Sequence, residues 1–210
     1  MAAPEGFNRS VFINCPFDPK FEPILQAILF CIIYLGLKPR ISSERHNSAE
    51  NRLEKIVELI ESAKYSIHDL SRCQATKRGE AFRLNMPFEL GIDYACRRYV
   101  DDERSQKKIL ILEERAHRYQ AALSDIAGCD IRFHGANFEK AVRQVRNWLV
   151  SEAGAPRDGA SKILGKYVDF QEWHYEQQLG AGFSEEDIQD YETSELLMSM
   201  TEWMAAGQPV

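Results

Sequence analysis

Two acidic residues lie where the sequence passes from one predicted secondary-structure element to the next. Asp69 ends the run from Tyr65 to Asp69, in which β-branched and aromatic residues predict a short strand. Glu89 follows Pro87 closely, at the predicted start of a helix, where proline is tolerated at the first position and a carboxylate is favoured by the helix dipole. We therefore expect the Glu89 carboxylate to stay ionised.

The elements around these two residues alternate between strand and helix. Predicted strands cover residues 11–14, 37–41, 65–69, 107–113 and 130–134, and predicted helices cover residues 21–35, 49–63, 85–99, 119–126 and 138–151. A fivefold alternation of this kind is typical of an α/β fold, in which helices cover both faces of an open, parallel, five-stranded sheet. The proline in the second strand predicts an edge position.

The helix that carries Glu89 has an apolar stripe three or four residues apart. We expect this stripe, which consists of Phe88, Ile92, Ala95 and Tyr99, to face the core, so that Glu89 and Asp93 lie off the core face. In the helix over residues 138–151, the predicted inward positions are Phe138, Ala141, Val142, Val145 and Leu149.

The chain divides into three predicted parts. Residues 1–151 form the α/β domain, residues 152–161 form a linker rich in glycine, alanine and proline, and residues 162–210 form a helical extension. The extension contains more aromatic surface than about 50 residues can bury alone. We expect it to dock on its own domain or on a second copy of the chain. Docking on a second copy would give a homo-oligomer through the C-terminal helices, and we expect such an oligomer.

Composition and charge exclude several classes of protein. The chain is 44% hydrophobic and 28% charged, and its net charge of −6 gives no general basic field for nucleic acid. No apolar run reaches the roughly 20 residues that a membrane span needs. Five scattered cysteines without a CxxC pair predict reduced thiols and no metal site. Without a visible secretory signal, we expect a cytoplasmic protein.

Ligands of open α/β sheets bind beyond the carboxyl ends of the strands. We therefore expect residues 14–18, 42–44, 69–72 and 85–89 to meet around one cleft. Besides Glu89 and Asp69, the candidate substrate-binding residues are Asn14, Phe17, Asp18, Ser43, Ser71, Arg72, Asn85 and Met86. A set of carboxylate, amide and hydroxyl groups can hold a sugar.

Four segments, in this order, resemble a known family. Residues 11–18 (VFINCPFD), 67–71 (IHDLS), 85–92 (NMPFELGI) and 109–112 (ILIL) are similar to segments of the nucleoside 2-deoxyribosyltransferases and the related TIR-like nucleotide-binding proteins. The resemblance implies a flavodoxin-like sheet and cleavage of an N-glycosidic bond, with Glu89 as the catalytic glutamate and Asp69 near the base or the sugar. It implies no cofactor and a nucleoside or nucleotide as the small-molecule partner.

The family usually has a glycine-rich turn before the helix that bears the glutamate, whereas Arg83 to Pro87 occupy that place here. The preceding loop is long and carries four cations, Arg72, Lys77, Arg78 and Arg83. Cations of this kind can bind phosphate, which extends the expected substrates from nucleosides to nucleotides and NAD.

Each candidate residue also has a purely structural explanation. Glu89 can simply favour the helix dipole, Asp69 can cap a turn, and the loop cations can form a solvated surface. We expect His68 to pack within the sheet, and Cys15 to be a small buried residue. Arg40 and Glu44 fit a surface pair.

These residues are therefore compatible with three functions. The first is an enzyme that hydrolyses or transfers across an N-glycosidic bond, with Glu89 as the nucleophile or as the group that stabilises the oxocarbenium ion. The second is a TIR-like module that senses a nucleotide without catalysis, for which bacterial stress or phage defence would be a suitable setting. The third is an interaction scaffold built on the helical extension, in which the cleft is vestigial.

Overall fold

A computed structural model of the chain describes residues 4–73, 75, 83–121 and 123–209. Its strands are β1 (Ser10–Asn14), β2 (Lys38–Ile41), β3 (Tyr65–Asp69), β4 (Lys108–Glu113) and β5 (Arg132–Phe133). They form one five-stranded parallel sheet in the order β2-β1-β3-β4-β5. This order is the flavodoxin-like one, so the predicted fold class is confirmed, as is the edge position of β2.

Helices cover both faces of the sheet. They are α1 (Glu22–Tyr34), α2 (Arg52–Glu61), α3 (Asn85–Tyr99), α4 (Phe138–Ala153), α5 (Ala160–Gly180), α6 (Glu185–Gln189) and α7 (Thr193–Ala205). Because side chains alternate along a strand, Val11 and Ile13 of β1 pack against α1 and α4, whereas Phe12 packs against α2. No helix within the described residues is long and apolar enough to cross a membrane.

Three of the weaker elements differ from their predicted form. The predicted helix over residues 119–126 is two short 3-10 helices, Arg118–Ala121 and Ser124–Ile126. Of the predicted strand over residues 130–134, only Arg132 and Phe133 pair with β4. They lie opposite the last two residues of β4, Leu112 and Glu113. In the extension, the helix predicted over residues 185–206 is divided into α6 and α7.

The buried face of α3 differs from the predicted one. Two residues of the predicted core stripe face outwards, since Phe88 is 58% exposed and Tyr99 is 83% exposed, whereas Ile92 is partly buried against the cluster that contains Phe12. The buried face instead contains Met86, Glu89, Leu90 and Asp93. The helix begins at Asn85, so Pro87 is its third residue rather than its first. In α4, Phe138 is also partly exposed, whereas the other four predicted inward residues are buried.

A buried ion pair explains this orientation of α3. Lys107 is 1% exposed, and its Nζ atom donates hydrogen bonds to the backbone oxygens of Ile60, at 2.7 Å, and Ala63. The same atom lies 3.2 Å from Oδ1 of Asp93, whose Oδ2 is 2.9 Å from Nε2 of His68. Burial raises the pKa of Asp93, but the hydrogen bond from His68 and the charge of Lys107 outweigh it and lower that pKa.

The C-terminal helices complete the core on one side of the sheet. Phe30 of α1 contacts Tyr167 and Phe170 of α5 and Trp203 of α7, with ring centroids 5.2, 5.6 and 5.8 Å apart. Residues 154–159 connect α4 to α5. These aromatic side chains are therefore buried within one copy of the chain, and a second copy is not needed to cover them.

We expect Asp93→Asn to lower the free energy of unfolding by about 3–5 kcal/mol, because it leaves the buried charge of Lys107 without a counter-charge. Chemical denaturation measures the change. The matched control is Asp101→Asn, which removes a carboxylate from an exposed position and should change stability by less than about 0.5 kcal/mol. Equal stability of both variants would contradict a structural role for the ion pair.

A second prediction concerns His174 in α5. This side chain is buried against Phe170 and Tyr191, and neither ring nitrogen has a hydrogen-bond partner in the part of the chain that the structure describes. Burial lowers the pKa of His174. The folded protein therefore disfavours the protonated form, and stability falls as the pH drops below about 6.5, where the unfolded chain binds the proton.

We expect His174→Phe to raise the free energy of unfolding by about 1–3 kcal/mol, because it removes two unsatisfied polar atoms. The gain should be larger at pH 5 than at pH 8, as measured by denaturation at both values. A variant that is less stable than the parent protein at pH 5 would show that the imidazole makes a favourable contact.

Candidate active site

A cavity of about 340 Å³ lies at the carboxyl ends of β1 and β2, beside the start of α3. Its walls are formed by Phe12, Ile13, Asn14, Cys15, Pro16, Phe17, Ser42, Arg52, Arg83, Leu84, Asn85, Met86 and Glu89. Strand β1 is where the order of the sheet reverses, since β2 lies on one side of it and β3 on the other. Open α/β folds bind their ligands at this position.

Glu89 is the carboxyl group of the cavity. It is 7% exposed, and burial raises its pKa to about 7, although the charge of Arg52 partly opposes this. The expectation that Glu89 stays ionised is therefore wrong. Glu89 is the fifth residue of α3, beyond the first turn in which the helix dipole acts, so desolvation dominates. Its carboxyl oxygens make no hydrogen bond or ion pair within the described residues.

Asn14 connects the cavity to the buried ion pair. Its Nδ2 atom donates to the backbone oxygen of Met86 at 3.0 Å and lies 3.0 Å from Nδ1 of His68. Because the carbonyl can only accept, the amide nitrogen must point this way and His68 must accept at Nδ1. His68 then carries its proton on Nε2 and donates to Asp93. The amide oxygen of Asn14 is the atom left for a ligand.

Asp69 does not line the cavity, so the expectation that the two carboxylates face one hollow is wrong. Asp69 is 1% exposed, and its Oδ1 atom accepts a hydrogen bond from the backbone N–H of Ser71 at 2.9 Å. Its Oδ2 atom lies 3.0 Å from Nε2 of His134. Both oxygens are thus occupied in shaping the turn after β3.

Ser71 and His134 do not act as a nucleophile and its base. Nε2 of His134 lies 3.0 Å from the Ser71 hydroxyl and contacts Asp69 with the same atom. Since Nδ1 of His134 accepts from the backbone N–H of Ala136, Nε2 carries the proton and cannot remove one from Ser71. Ser71 is also buried, outside the cavity wall.

The loop cations are partly committed to carboxylates. Nε of Arg72 and Nη1 of Arg83 lie 3.4 and 3.2 Å from Oδ2 of Asp18, and Nη1 of Arg72 lies 3.1 Å from Glu114. Asp18 therefore fixes both ends of the loop after β3. Of this group only Arg83 lines the cavity, whereas Asp18 and Arg72 do not. Lys77 and Arg78, also expected to bind phosphate, lie outside the described residues.

Arg52 is the residue that the sequence analysis did not single out. It is the first residue of α2, it is exposed, and it has no ion-pair partner within the described residues. The N-cap Asn51 places it there, because its side chain accepts hydrogen bonds from the backbone of Leu53 and Glu54. The helix after β2 begins at the same edge of the sheet, which is the signal that could have identified Arg52.

A second cavity, of about 480 Å³, adjoins the first and shares Phe17, Ser42 and Arg52 with it. Its remaining wall residues are Ser43, Arg45, His46, Asn47, Ser48 and Lys55. We call the cavity around Glu89 the inner cavity and this one the outer cavity. Ser43, a predicted substrate-binding residue, belongs to the outer cavity. Asn14, Phe17, Asn85 and Met86 line the inner cavity.

Cys15 lies in the wall of the inner cavity but is not an activated thiol. Burial raises its pKa well above the usual value, and Asp69, Glu89 and Asp18 raise it further. The thiol is therefore protonated at neutral pH. Within the described ranges, no group of three or more His, Cys, Asp or Glu side chains is arranged to hold a metal ion.

Comparison of the chain with models of protein families, with curated proteins and with solved structures finds no match.

Proposed function

We propose that this protein cleaves, or transfers across, the N-glycosidic bond of a nucleoside, a nucleotide or NAD, with Glu89 acting on the sugar. The observation that carries this proposal is a buried carboxyl group, without a partner among the described residues, in the wall of a cavity of about 340 Å³. Cavities that hold small ligands are typically about 300–1,000 Å³. Leaving a buried carboxyl group unpaired costs stability, and such sites are commonly functional.

The chemistry follows from the charge that develops on the sugar. As the C1′–N bond breaks, its electron pair leaves with the base, and the sugar acquires oxocarbenium character. The ionised form of Glu89 stabilises this charge or attacks C1′ to form an ester, which water or a second base then opens. A pKa of about 7 leaves a substantial ionised fraction at neutral pH.

Asn14 suits the role of a sugar ligand, because its amide oxygen has no partner among the described residues and can accept hydrogen bonds from hydroxyl groups. In this proposal Asp69 acts indirectly. It holds the turn after β3 through Ser71 and His134, so it is a positioning residue rather than a group that touches substrate. We also propose a cytoplasmic location, which the five unpaired thiols support. A homo-oligomer remains a further proposal.

The second candidate is a TIR-like module that binds a nucleotide without cleaving it. It is favoured by one observation, that the described residues of the inner cavity supply one carboxyl group and no histidine or second carboxyl group to protonate a departing base. The enzymatic proposal requires that the base leaves as an anion or takes its proton from water. The sensor requires only that the nucleotide binds and that no base is released.

We expect the protein to release free base from at least one member of a panel of deoxynucleosides, CMP and NAD, and Glu89→Gln to reduce that release at least 100-fold. Chromatographic detection of the free base measures it, and circular dichroism shows that the fold is intact. Glu54→Gln, on the exposed side of α2, is the matched control and should retain full activity. Undiminished release by Glu89→Gln would exclude the proposed role, and binding without release would support the sensor.

The raised pKa of Glu89 also predicts how stability depends on pH. Between pH 4.5 and about 7 the folded protein holds a proton that the unfolded chain has lost, so stability falls as the pH rises. We expect Glu89→Gln to be more stable than the parent protein by up to about 3 kcal/mol at pH 8 and nearly equal to it at pH 4.5. Denaturation at both pH values measures this, and a constant difference would mean that the carboxyl group has an ordinary pKa.

A further inference from the structure

The two adjoining cavities concentrate positive charge in an otherwise acidic protein. The chain has a net charge of −6, yet the walls of the inner and outer cavities together carry four cations and one carboxyl group. The cations are Arg45, Arg52, Lys55 and Arg83, and the carboxyl group is Glu89. Glu50, Glu58 and Asp18 pair with Arg45, Lys55 and Arg83, so Arg52 carries the charge that is left to attract a ligand of the opposite sign.

Hydrogen-bond acceptors and cations occupy different parts of this site. The inner cavity presents two acceptors, the carboxyl group of Glu89 and the amide oxygen of Asn14, which suit the hydroxyl groups of a sugar. Arg52 lies on the wall that both cavities share. A ligand that matches both parts has hydroxyl groups at one end and an anion at the other.

Two polar atoms lie behind the wall of the outer cavity. The Ser43 hydroxyl and the Nε atom of Arg45 are buried and make no hydrogen bond within the described residues, and neither is accessible from the cavity. The other nitrogens of Arg45 bind Glu50 and Glu58, so its position is fixed. An anion in the outer cavity would therefore be bound by a cation that solvent reaches.

Arg52 is the cation best placed to bind such an ion. Lys55 donates to the backbone oxygen of Arg45 and lies 3.9 Å from Glu50, and Arg83 is paired with Asp18. Arg52, by contrast, makes no ion pair within the described residues. A guanidinium group matches the geometry of phosphate because it donates two parallel hydrogen bonds.

We propose that the outer cavity binds the phosphate of a phosphorylated ribose, with Arg52 as its main ligand. The sugar then lies in the inner cavity against Glu89. The substrate class is therefore a nucleotide, either a nucleoside 5′-phosphate or a dinucleotide, rather than an unmodified nucleoside. The assignment of the sugar rests on the proposed function, whereas the phosphate site rests on the outer cavity itself.

The phosphate site is tested with inorganic pyrophosphate, which needs neither sugar nor base, by titration calorimetry on the full chain. We expect Arg52→Gln to weaken pyrophosphate binding about tenfold. Arg97→Gln removes the same charge from the exposed part of α3 and should leave binding unchanged. Equal affinities of the parent protein, Arg52→Gln and Arg97→Gln, or no binding by the parent protein, would overturn the proposal.

The preference for a phosphorylated sugar is tested with ribose 5-phosphate and ribose. We expect ribose 5-phosphate to bind at least tenfold more tightly, and Arg52→Gln to abolish the difference. If the parent protein releases base faster from nucleosides than from their 5′-phosphates, this proposal fails and the proposed function stands. If pyrophosphate binding depends on Arg52 but no base is ever released, the phosphate site stands and the glycosidic reaction is excluded.

Discussion

Lys107 is almost fully buried, and its ammonium group lies 3.2 Å from the carboxylate of Asp93. A buried lysine requires a counter-charge, and the interaction with Asp93 determines which face of α3 turns towards the sheet. Glu89 is one helical turn before Asp93, on the same face of the helix. The ion pair therefore brings Glu89 into the wall of the inner cavity, although the burial of its carboxyl group is by itself unfavourable.

A series of buried hydrogen bonds also connects Asp93 to the inner cavity through β3 and β1. Asp93 accepts from His68, His68 accepts from Asn14, and Asn14 binds the first turn of α3 through Met86. The ends of the strands on the other side of the sheet are filled, by contrast, since Asp69 is occupied by His134. At the carboxyl ends of the strands, the open cavities that could hold a ligand therefore lie beside β1 and β2.

Local patterns were sufficient for the architecture, because periodicity, prolines and turn residues act within a few positions of the chain. The bounds of β3 and the edge position of β2 followed from such signals. The site was less predictable because its interactions connect residues far apart. The buried face of α3 was predicted wrongly because the partners of Asp93 lie on β3 and just before β4. Likewise, the hydrogen-bond partner of the Asp69 carboxylate is a histidine 65 positions later in the chain.

The packing of α5 and α7 over Phe30 has a consequence for biosynthesis. Phe30 of α1 forms this layer with Trp203 of α7, so its burial must wait until the ribosome has added α7. Until then the emerging α1 presents apolar surface to its surroundings, and such surface promotes association with other nascent chains. Chaperone binding during translation is the natural protection for a protein whose early core is closed by late residues.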